Sequence, residues 1–230
     1  MSVAAGGAWQ VNAQPAAATP PFEAGKHYTV LSPAQPTSTD TGRVEVAEIF
    51  MFGCPGCFSF EPHIQRWLGR KADYVNFVRI PAPWNPAAIL HARAYYAAEA
   101  LGKTEEIDGP FFNEFHTNRN YLDSEAKLAD FFEQHGVDEA TFKSTFNSFA
   151  VNAKLKRAEE LIRRYRVEST PTVIVNGKYL TAGQMAGSYE AWFVETVRAA
   201  CANPCLNWVI KVHPGNTVKG VRDGVHGEPS

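Results

Sequence analysis

The residues best suited to chemistry are two cysteines separated by two residues, in a Cys-Pro-Gly-Cys motif at residues 54–57. They follow an apolar stretch at residues 44–53 that is typical of a buried strand, and they precede a stretch at residues 58–68 with helical periodicity. A cysteine reacts as its thiolate, and the unpaired N–H groups at a helix N-terminus stabilise negative charge. The motif therefore predicts reversible dithiol–disulfide chemistry.

The two cysteines are expected to have different roles. Cys54 would lie at the exposed start of the helix, where the helix dipole contributes up to about 2 kcal/mol and lowers its pKa by roughly 1.5. Cys57 would lie one turn further in and resolve mixed disulfides. Pro55 suits the first helical turn, where its missing N–H would have no partner. Two other interpretations of the pair stay open at this point: half of a zinc site, and two buried thiols.

Three charged residues are candidates for tuning the cysteines. Glu48 is a carboxylate on an otherwise apolar strand face, and burying a charge is costly unless it is paired or neutralised. Arg79 interrupts the apolar face of a second predicted strand and is a candidate partner. Glu61 lies seven residues after Cys54, two turns along the same helix face. The alternative is that these three are ordinary edge and surface charges.

The pattern of elements predicts an α/β protein. The strand signals at residues 44–52 and 74–80 flank a helix, so they form a βαβ unit with parallel strands and a right-handed connection. A helical stretch follows at residues 86–165. A hairpin at residues 172–180 and a helix at residues 188–200 complete the pattern.

Local signals within these segments place turns and caps. Asn176-Gly177 predicts a type I′ hairpin turn, because these residues tolerate the positive φ angles that the turn needs. The predicted helix breaks are Gly102, Gly109-Pro110, residues 118–121 and Gly136. The predicted N-caps are Asp138 and either Asp123 or Ser124.

Composition bounds the class of protein. The chain has 230 residues, 45% hydrophobic content and a formal net charge of −2, which argues against a general affinity for nucleic acid or anionic lipid. The chain contains no run of 18 consecutive apolar residues, so the sequence predicts no membrane span. Residues 1–21 are rich in Ala, Gly and Pro. They predict either a flexible leader left after removal of a signal, or the tail of a cytosolic protein.

Two further cysteines, Cys201 and Cys205, follow the last predicted helix. A local structural disulfide is the leading hypothesis for them. Free thiols, and a zinc site shared with Cys54 and Cys57, are the alternatives.

Taken together, four stretches make the chain resemble the DsbA family of thiol–disulfide oxidoreductases. They are FEAGKHY at residues 22–28, residues 45–62 around the cysteine pair, NSF at 147–149 and TPTVIVNGKY at 170–179. The resemblance implies a thioredoxin-like fold, a central mixed sheet flanked by helices, with an inserted all-helical domain. The expected division is a flexible leader at 1–21, the thioredoxin-like domain at 22–83 and 167–200, the helical insert at 84–166 and a C-terminal tail at 201–230.

The resemblance also implies roles for residues outside the motif. Pro171 would be a cis-proline against the cysteine pair, exposing the backbone of Thr170 for strand-like pairing with an extended substrate; the alternative is a trans-proline that opens a strand. Glu48, Glu61 and Arg79 would form a buried charged cluster beneath the cysteines, relaying the proton of Cys57 and tuning the pair.

The implied activity is disulfide donation to unfolded secreted proteins in the periplasm by a monomer. The redox-active disulfide would be the only redox group, with no separate cofactor. A DsbB-like, quinone-linked membrane protein would re-oxidise it.

Two departures from the best-known members leave room for other activities. Gly56 stands where those members have His, and Thr170 stands where they have Val. Both positions tune redox strength in the family, so oxidising power is expected to be lower here. A less oxidising isomerase or reductase is therefore the alternative activity. From other classes, a zinc-stabilised binding module and a chaperone-like peptide binder with incidental cysteines stay open.

Overall fold

The computed structural model describes residues 24–40 and 42–185. The predicted leader, the predicted helix at residues 188–200, Cys201, Cys205 and the predicted tail lie outside these described residues.

Six α-helices and five strands follow one another in the described part of the chain. In chain order they are β1 (Thr29–Val30), β2 (Val44–Phe50), α1 (Pro55–Leu68), β3 (Val75–Pro81), α2 (Pro86–Ala100), α3 (Thr104–His116), α4 (Glu125–Gln134), α5 (Glu139–Phe146), α6 (Phe149–Tyr165), β4 (Thr172–Val175) and β5 (Tyr179–Ala182).

The five strands form one mixed sheet in the order β1-β5-β4-β2-β3. Strands β2 and β3 are parallel, as the βαβ prediction requires, and the other neighbouring pairs are antiparallel. All seven residues of β2 are buried. This confirms the prediction of a buried strand, and it places the cysteine motif just after the end of that strand.

The predicted hairpin is formed by β4 and β5. Asn176 and Gly177 have φ angles of 49° and 62°, as the type I′ pattern predicts. A Cβ atom at Gly177 would lie 2.1 Å from the backbone oxygen of Gln35, so the close approach of this neighbouring segment also requires glycine. The hairpin fixes β4, which carries the Thr170-Pro171 segment at its start.

Most predicted helix boundaries are confirmed. Helix α2 ends before Gly102 and α4 ends before Gly136, which has a positive φ angle of 78°. The side chain of Ser124, rather than Asp123, caps α4 by accepting a hydrogen bond from the N–H of Lys127. Asp138 caps α5 as predicted. These caps satisfy backbone donors that would otherwise lack partners at the helix starts.

Two expectations for the helical stretch are wrong. The predicted break at Gly109-Pro110 is absent, because α3 runs through both residues. Burial of Ile107, Phe111 and Phe112 in the core stabilises the helix against the cost of an internal proline, about 3 kcal/mol. A break that was not predicted separates α5 from α6, and the side chain of Ser148 caps α6 there.

Apolar packing between α3 and the end of β2 places α3 next to the cysteine motif. Phe52 stacks on Phe111 with ring centroids 4.0 Å apart, and it meets Phe112 edge-on at 4.9 Å. Phe50 and Phe52 belong to the same buried cluster as these α3 rings. In residues 24–40 and 42–185, no helix is long and apolar enough to cross a membrane.

Candidate active site

Cys54 is the N-cap residue of α1, directly after the loop that follows β2. Its backbone is extended, with φ −88° and ψ 116°, and Pro55 occupies the first helical turn as predicted. The Cys54 N–H donates to the Met51 carbonyl at 3.1 Å, and the Cys54 carbonyl accepts from the Phe58 N–H at 3.1 Å. This geometry places Cys54 at the N-cap position without a side-chain capping hydrogen bond, so its sulfur lies at the helix N-terminus.

The surroundings of Cys54 favour its thiolate. A hydrogen bond from the Cys57 thiol is the largest influence, and the Thr170 side chain and the N–H groups of Cys57 and Gly56 add to it. Partial burial opposes them, and the net result lowers the pKa of Cys54 to about 5. The sequence analysis predicted a lowered pKa for Cys54 but attributed it to the helix terminus. The backbone N–H groups do contribute, although less than the partner thiol.

Cys57 has the opposite character. It is 0% exposed, and burial is the first cause that raises the pKa of its thiol far above the usual range. The hydrogen bond to Cys54 and the charge of Glu48 raise it further. Cys57 therefore stays protonated at neutral pH while Cys54 is a thiolate.

The segment before β4 lies against Cys54. The Thr170–Pro171 peptide bond is cis, and the protonated Cys54 Sγ donates to the Thr170 carbonyl at 3.4 Å. Pro171 is buried and Thr170 is half-buried. The structure thus brings Thr170 and Pro171 to the cysteine pair, although Thr170 lies 116 residues after Cys54 in the sequence.

The predicted charged cluster is present, and it contains one more member. Glu48 and Arg79 are register partners in the parallel pair β2–β3, and Arg79 Nε lies 2.9 Å from Glu48 Oε2. Arg79 Nη2 pairs with Glu61 Oε2 on α1. Arg79 Nη1 lies 2.9 Å from Asp108 Oδ2 on α3, a contact that sequence reasoning missed. Four elements therefore meet at one guanidinium group.

Burial governs the titration of this cluster. It raises the pKa of Glu48 from its ordinary value of 4.5 to about 7, with Arg79 acting against it. It raises the pKa of Asp108 from 3.8 to about 6, again against Arg79. The charge of Glu48 also acts on Cys57. The cluster can therefore exchange a proton near neutral pH close to the buried sulfur.

The last turn of α3 holds the loop before Cys54. His116 Nε2 lies 2.7 Å from the Phe52 carbonyl, and the His116 ring stacks on Phe58 with centroids 4.7 Å apart. A Cβ atom at Gly53 would lie 3.0 Å from the Phe115 ring, so α3 packs closely on this loop. Sequence reasoning missed both α3 side chains, because no local pattern links them to the cysteines.

The acidity of Cys54 can be measured directly. We expect ultraviolet thiolate absorbance of the reduced protein to titrate with a midpoint near pH 5, because the Cys57 thiol and the helix N–H groups stabilise the anion. Since the Cys57 hydrogen bond is the largest influence, Cys57→Ala is expected to raise the midpoint more than Cys57→Ser, which keeps a donor. A wild-type midpoint near 8.5, as for free cysteine, would contradict this account.

Comparison with known proteins gives one consistent answer. The family model for the DSBA-like thioredoxin domain matches residues 77–191. A thiol:disulfide interchange protein DsbA from Burkholderia cepacia is 37% identical over 157 residues, which cover 68% of this chain and 74% of that protein. The protein of the same name from Pseudomonas aeruginosa is 35% identical over 185 residues, which cover 78% of this chain and 87% of that one.

Solved structures agree with the sequence comparisons. The crystal structure of Pseudomonas aeruginosa DsbA matches with a TM-score of 0.71 at 35% identity, over 78% of this chain and 96% of that one. The oxidoreductase DsbA of Xylella fastidiosa matches with a TM-score of 0.68 at 30% identity, over 75% of this chain and 96% of that one. The predicted fold and family are confirmed, and the chain belongs to the DsbA family of thioredoxin-like thiol–disulfide oxidoreductases.

Proposed function

We propose that this oxidoreductase works as an oxidase, donating the Cys54–Cys57 disulfide to exported proteins as they fold. The observation that carries the proposal is the lowered pKa of Cys54, about 5. A stabilised thiolate favours the reduced form of the enzyme, so its disulfide readily accepts electrons from a client. Because burial keeps Cys57 protonated, Cys54 alone carries the charge of the reduced pair.

The proposed exchange has two steps. A client thiolate attacks Cys54 Sγ, the Cys54–Cys57 bond breaks, and its electron pair goes to the Cys57 sulfur, which takes up a proton. A second client thiolate then attacks the client sulfur of the mixed disulfide and releases Cys54 as a thiolate. The client loses two electrons and gains one disulfide, and the enzyme gains those two electrons as a reduced pair.

The Thr170-Pro171 segment is the proposed client-binding element. The Thr170 carbonyl lies within reach of Cys54 Sγ at 3.4 Å, so a peptide aligned along this backbone would have its sulfur beside the reacting cysteine. Pairing through backbone groups reads few side chains, which suits an enzyme with many unfolded clients.

The remaining parts of the proposal concern the setting of the reaction. We propose that the cysteine pair is the only redox group, that the protein acts as a monomer in the periplasm, and that a DsbB-like, quinone-linked membrane protein re-oxidises it. The names of the relatives support the exchange chemistry, and the setting follows from the family resemblance. Covalent capture of such a membrane protein by a Cys57→Ser variant would test the re-oxidation step.

The redox potential tests the direction of transfer. Equilibrated with glutathione, the protein is expected to be more oxidising than protein disulfide isomerase, at about −180 mV, because the Cys54 thiolate stabilises the reduced state. A value near that of thioredoxin, about −270 mV, would contradict the oxidase assignment.

An isomerase or reductase is the second candidate, and Gly56 and Thr170 favour it because both depart from the best-known oxidases. Reactivation of a client with scrambled disulfides, measured beside oxidation of a reduced client, would distinguish the two activities. A zinc-stabilised module predicts one tightly held zinc per reduced chain. In residues 24–40 and 42–185, no group of three or more His, Cys, Asp or Glu side chains is arranged to hold a metal ion.

A further inference from the structure

The side chain of Asp108 has an unusual position for a carboxylate. Its Oδ2 lies 2.9 Å from Arg79 Nη1, while its Oδ1 is buried and has no hydrogen-bond partner in the described structure. Asp108 comes from α3, in the helical segment, and bonds a different nitrogen of Arg79 from the one that Glu48 bonds. Only 11% of its side chain is exposed, so this oxygen is removed from bulk water as well as from protein donors.

Asp108 separates the innermost part of the cluster from an open groove. The Glu48 side chain is 1% exposed, whereas the Glu61 and Asp108 side chains, at 12% and 11%, form the outer rim. The groove has a volume of about 840 Å³. Its ionisable lining consists of Glu61, Lys71, Arg79, Tyr95, Glu99, Glu105 and Asp108, four of which are carboxylic acids. Acidic side chains therefore dominate both the rim and the groove.

The charges in the cluster do not balance. Three carboxyl groups face one guanidinium, so full ionisation would leave two excess negative charges in a largely buried site. Such a site binds a proton in preference to holding both charges. The groups that act on it from the surrounding elements are Glu48 from β2, Cys57 and Glu61 from α1, Tyr95 and Glu99 from α2, and Asp108 from α3. Lys71 also lines the groove, where its Nζ donates to the Val75 carbonyl at 2.8 Å, while the three carboxyl groups pair with Arg79.

Disulfide donation needs a proton at this depth. When the Cys54–Cys57 bond opens, Cys57 leaves as an anion in a site where burial strongly favours the neutral thiol. Glu48 is the carboxyl group of the cluster whose charge acts on Cys57, and we therefore take it as the source of that proton. Transfer from the Glu48 O–H to the Cys57 sulfur breaks one O–H bond, forms one S–H bond and moves no net electrons.

We propose that Asp108 is a positioning residue for disulfide exchange: by holding the Nη1 edge of Arg79, it weakens the attraction between Arg79 and Glu48 and keeps a proton on Glu48 for the leaving Cys57 sulfur. This inference rests on the proposed function, since it concerns the donation step. Arg79 bonds Glu48 through Nε alone and gives its two terminal nitrogens to Glu61 and Asp108. Without the Asp108 charge, the guanidinium would stabilise the Glu48 anion more strongly.

The test is the pH dependence of disulfide transfer in Asp108→Asn. The oxidised protein is mixed with a reduced peptide containing two cysteines, and the single-turnover rate is measured from pH 5 to pH 9. The rate is expected to fall as Glu48 loses its proton with rising pH. In Asp108→Asn this fall should occur about one unit lower in pH, because an isosteric amide removes one negative charge from the cluster. At pH 7 a shift of this size corresponds to a rate about fivefold below that of the wild type.

A matched control removes the same charge from the same helix. Glu105 is exposed in the groove, and the Arg79 ion pairs do not include it, so Glu105→Gln is expected to leave the profile unchanged. If Glu105→Gln shifts the pH profile as much as Asp108→Asn, the effect comes from the summed charge of the groove rather than from the contact between Asp108 and Arg79, and the proposal is overturned.

If Asp108→Asn folds poorly, a variant that retains the charge keeps the proposal falsifiable. Asp108→Glu retains the charge and should keep the wild-type profile, so a shift in this variant would assign the effect to packing and overturn the proposal. In a Glu48→Gln background, Asp108→Asn should cause no further shift. A remaining shift would show that Asp108 acts elsewhere. Wild-type protein that transfers no disulfide would instead refute the proposed function, independently of Asp108.

Discussion

Replacing Cys54 with serine is expected to reduce disulfide transfer to the uncatalysed background. Cys54 is the half-buried, acidic member of the pair, and the Cys57 sulfur is wholly buried, so no other sulfur of the motif can meet a client. A serine hydroxyl does not ionise at physiological pH and forms no disulfide. Oxidation of a reduced client protein, followed by loss of its free thiols, measures the effect.

The companion variant Cys57→Ser separates attack from resolution. Its Cys54 thiolate can still attack a client disulfide, but the neighbouring hydroxyl cannot release the adduct, so mixed disulfides with clients should accumulate. Non-reducing gels detect them, and the double variant Cys54→Ser/Cys57→Ser is the matched control without either thiol. A Cys57→Ser protein that accumulates no adducts, or a Cys54→Ser protein that does, would reverse the assigned roles.

The parts of this site that could be predicted are those with a local signal. The apolar stretch that forms β2, the Asn176-Gly177 turn and the Cys-Pro-Gly-Cys motif each depend on residues close together in sequence. The pairing of Glu48 with Arg79 follows from one further step, since parallel strands joined by one helix lie side by side and bring two odd charges into register. The Glu48–Arg79 pair at the centre of the cluster could therefore be predicted from local sequence patterns and the order of the strands.

The parts that could not be predicted come from the packing of α3. Asp108 and His116 reach the site because Phe111 and Phe112 pack against Phe52, and no periodicity encodes that contact between distant segments. The expected break at Gly109-Pro110 even placed these residues in separate helices. The main cause of the Cys54 acidity was also missed, because it depends on the direction of the Cys57 S–H bond within a folded turn.

Removing the Arg79 guanidinium is expected to have the largest effect on stability. Arg79→Met preserves the apolar stem but removes the guanidinium, whose carbon lies 5.4 Å from the Phe50 ring centroid and 5.7 Å from that of Phe77. It leaves three carboxyl groups without a counter-ion. Loss of one partner from a buried ion pair costs about 3–5 kcal/mol. We expect a decrease of this size in the free energy of unfolding at pH 8, measured by urea denaturation of the reduced protein.

The pH dependence identifies the cause of that loss. The folded protein already holds the pKa of Glu48 at about 7 and that of Asp108 at about 6, above their ordinary values, and the charge of Arg79 lowers both. A carboxyl group with a raised folded pKa binds more protons in the folded state, so stability falls as the pH rises through that interval. Without Arg79 both pKa values rise further, so the loss of unfolding free energy in Arg79→Met should be large at pH 8 and much smaller at pH 5.

A control variant removes a guanidinium from an exposed ion pair. Arg164→Met, which breaks the pair with Glu160, should change stability by less than about 1 kcal/mol at either pH. An equal deficit of Arg79→Met at both pH values would mean that packing, rather than the charge on three buried carboxyl groups, accounts for the loss.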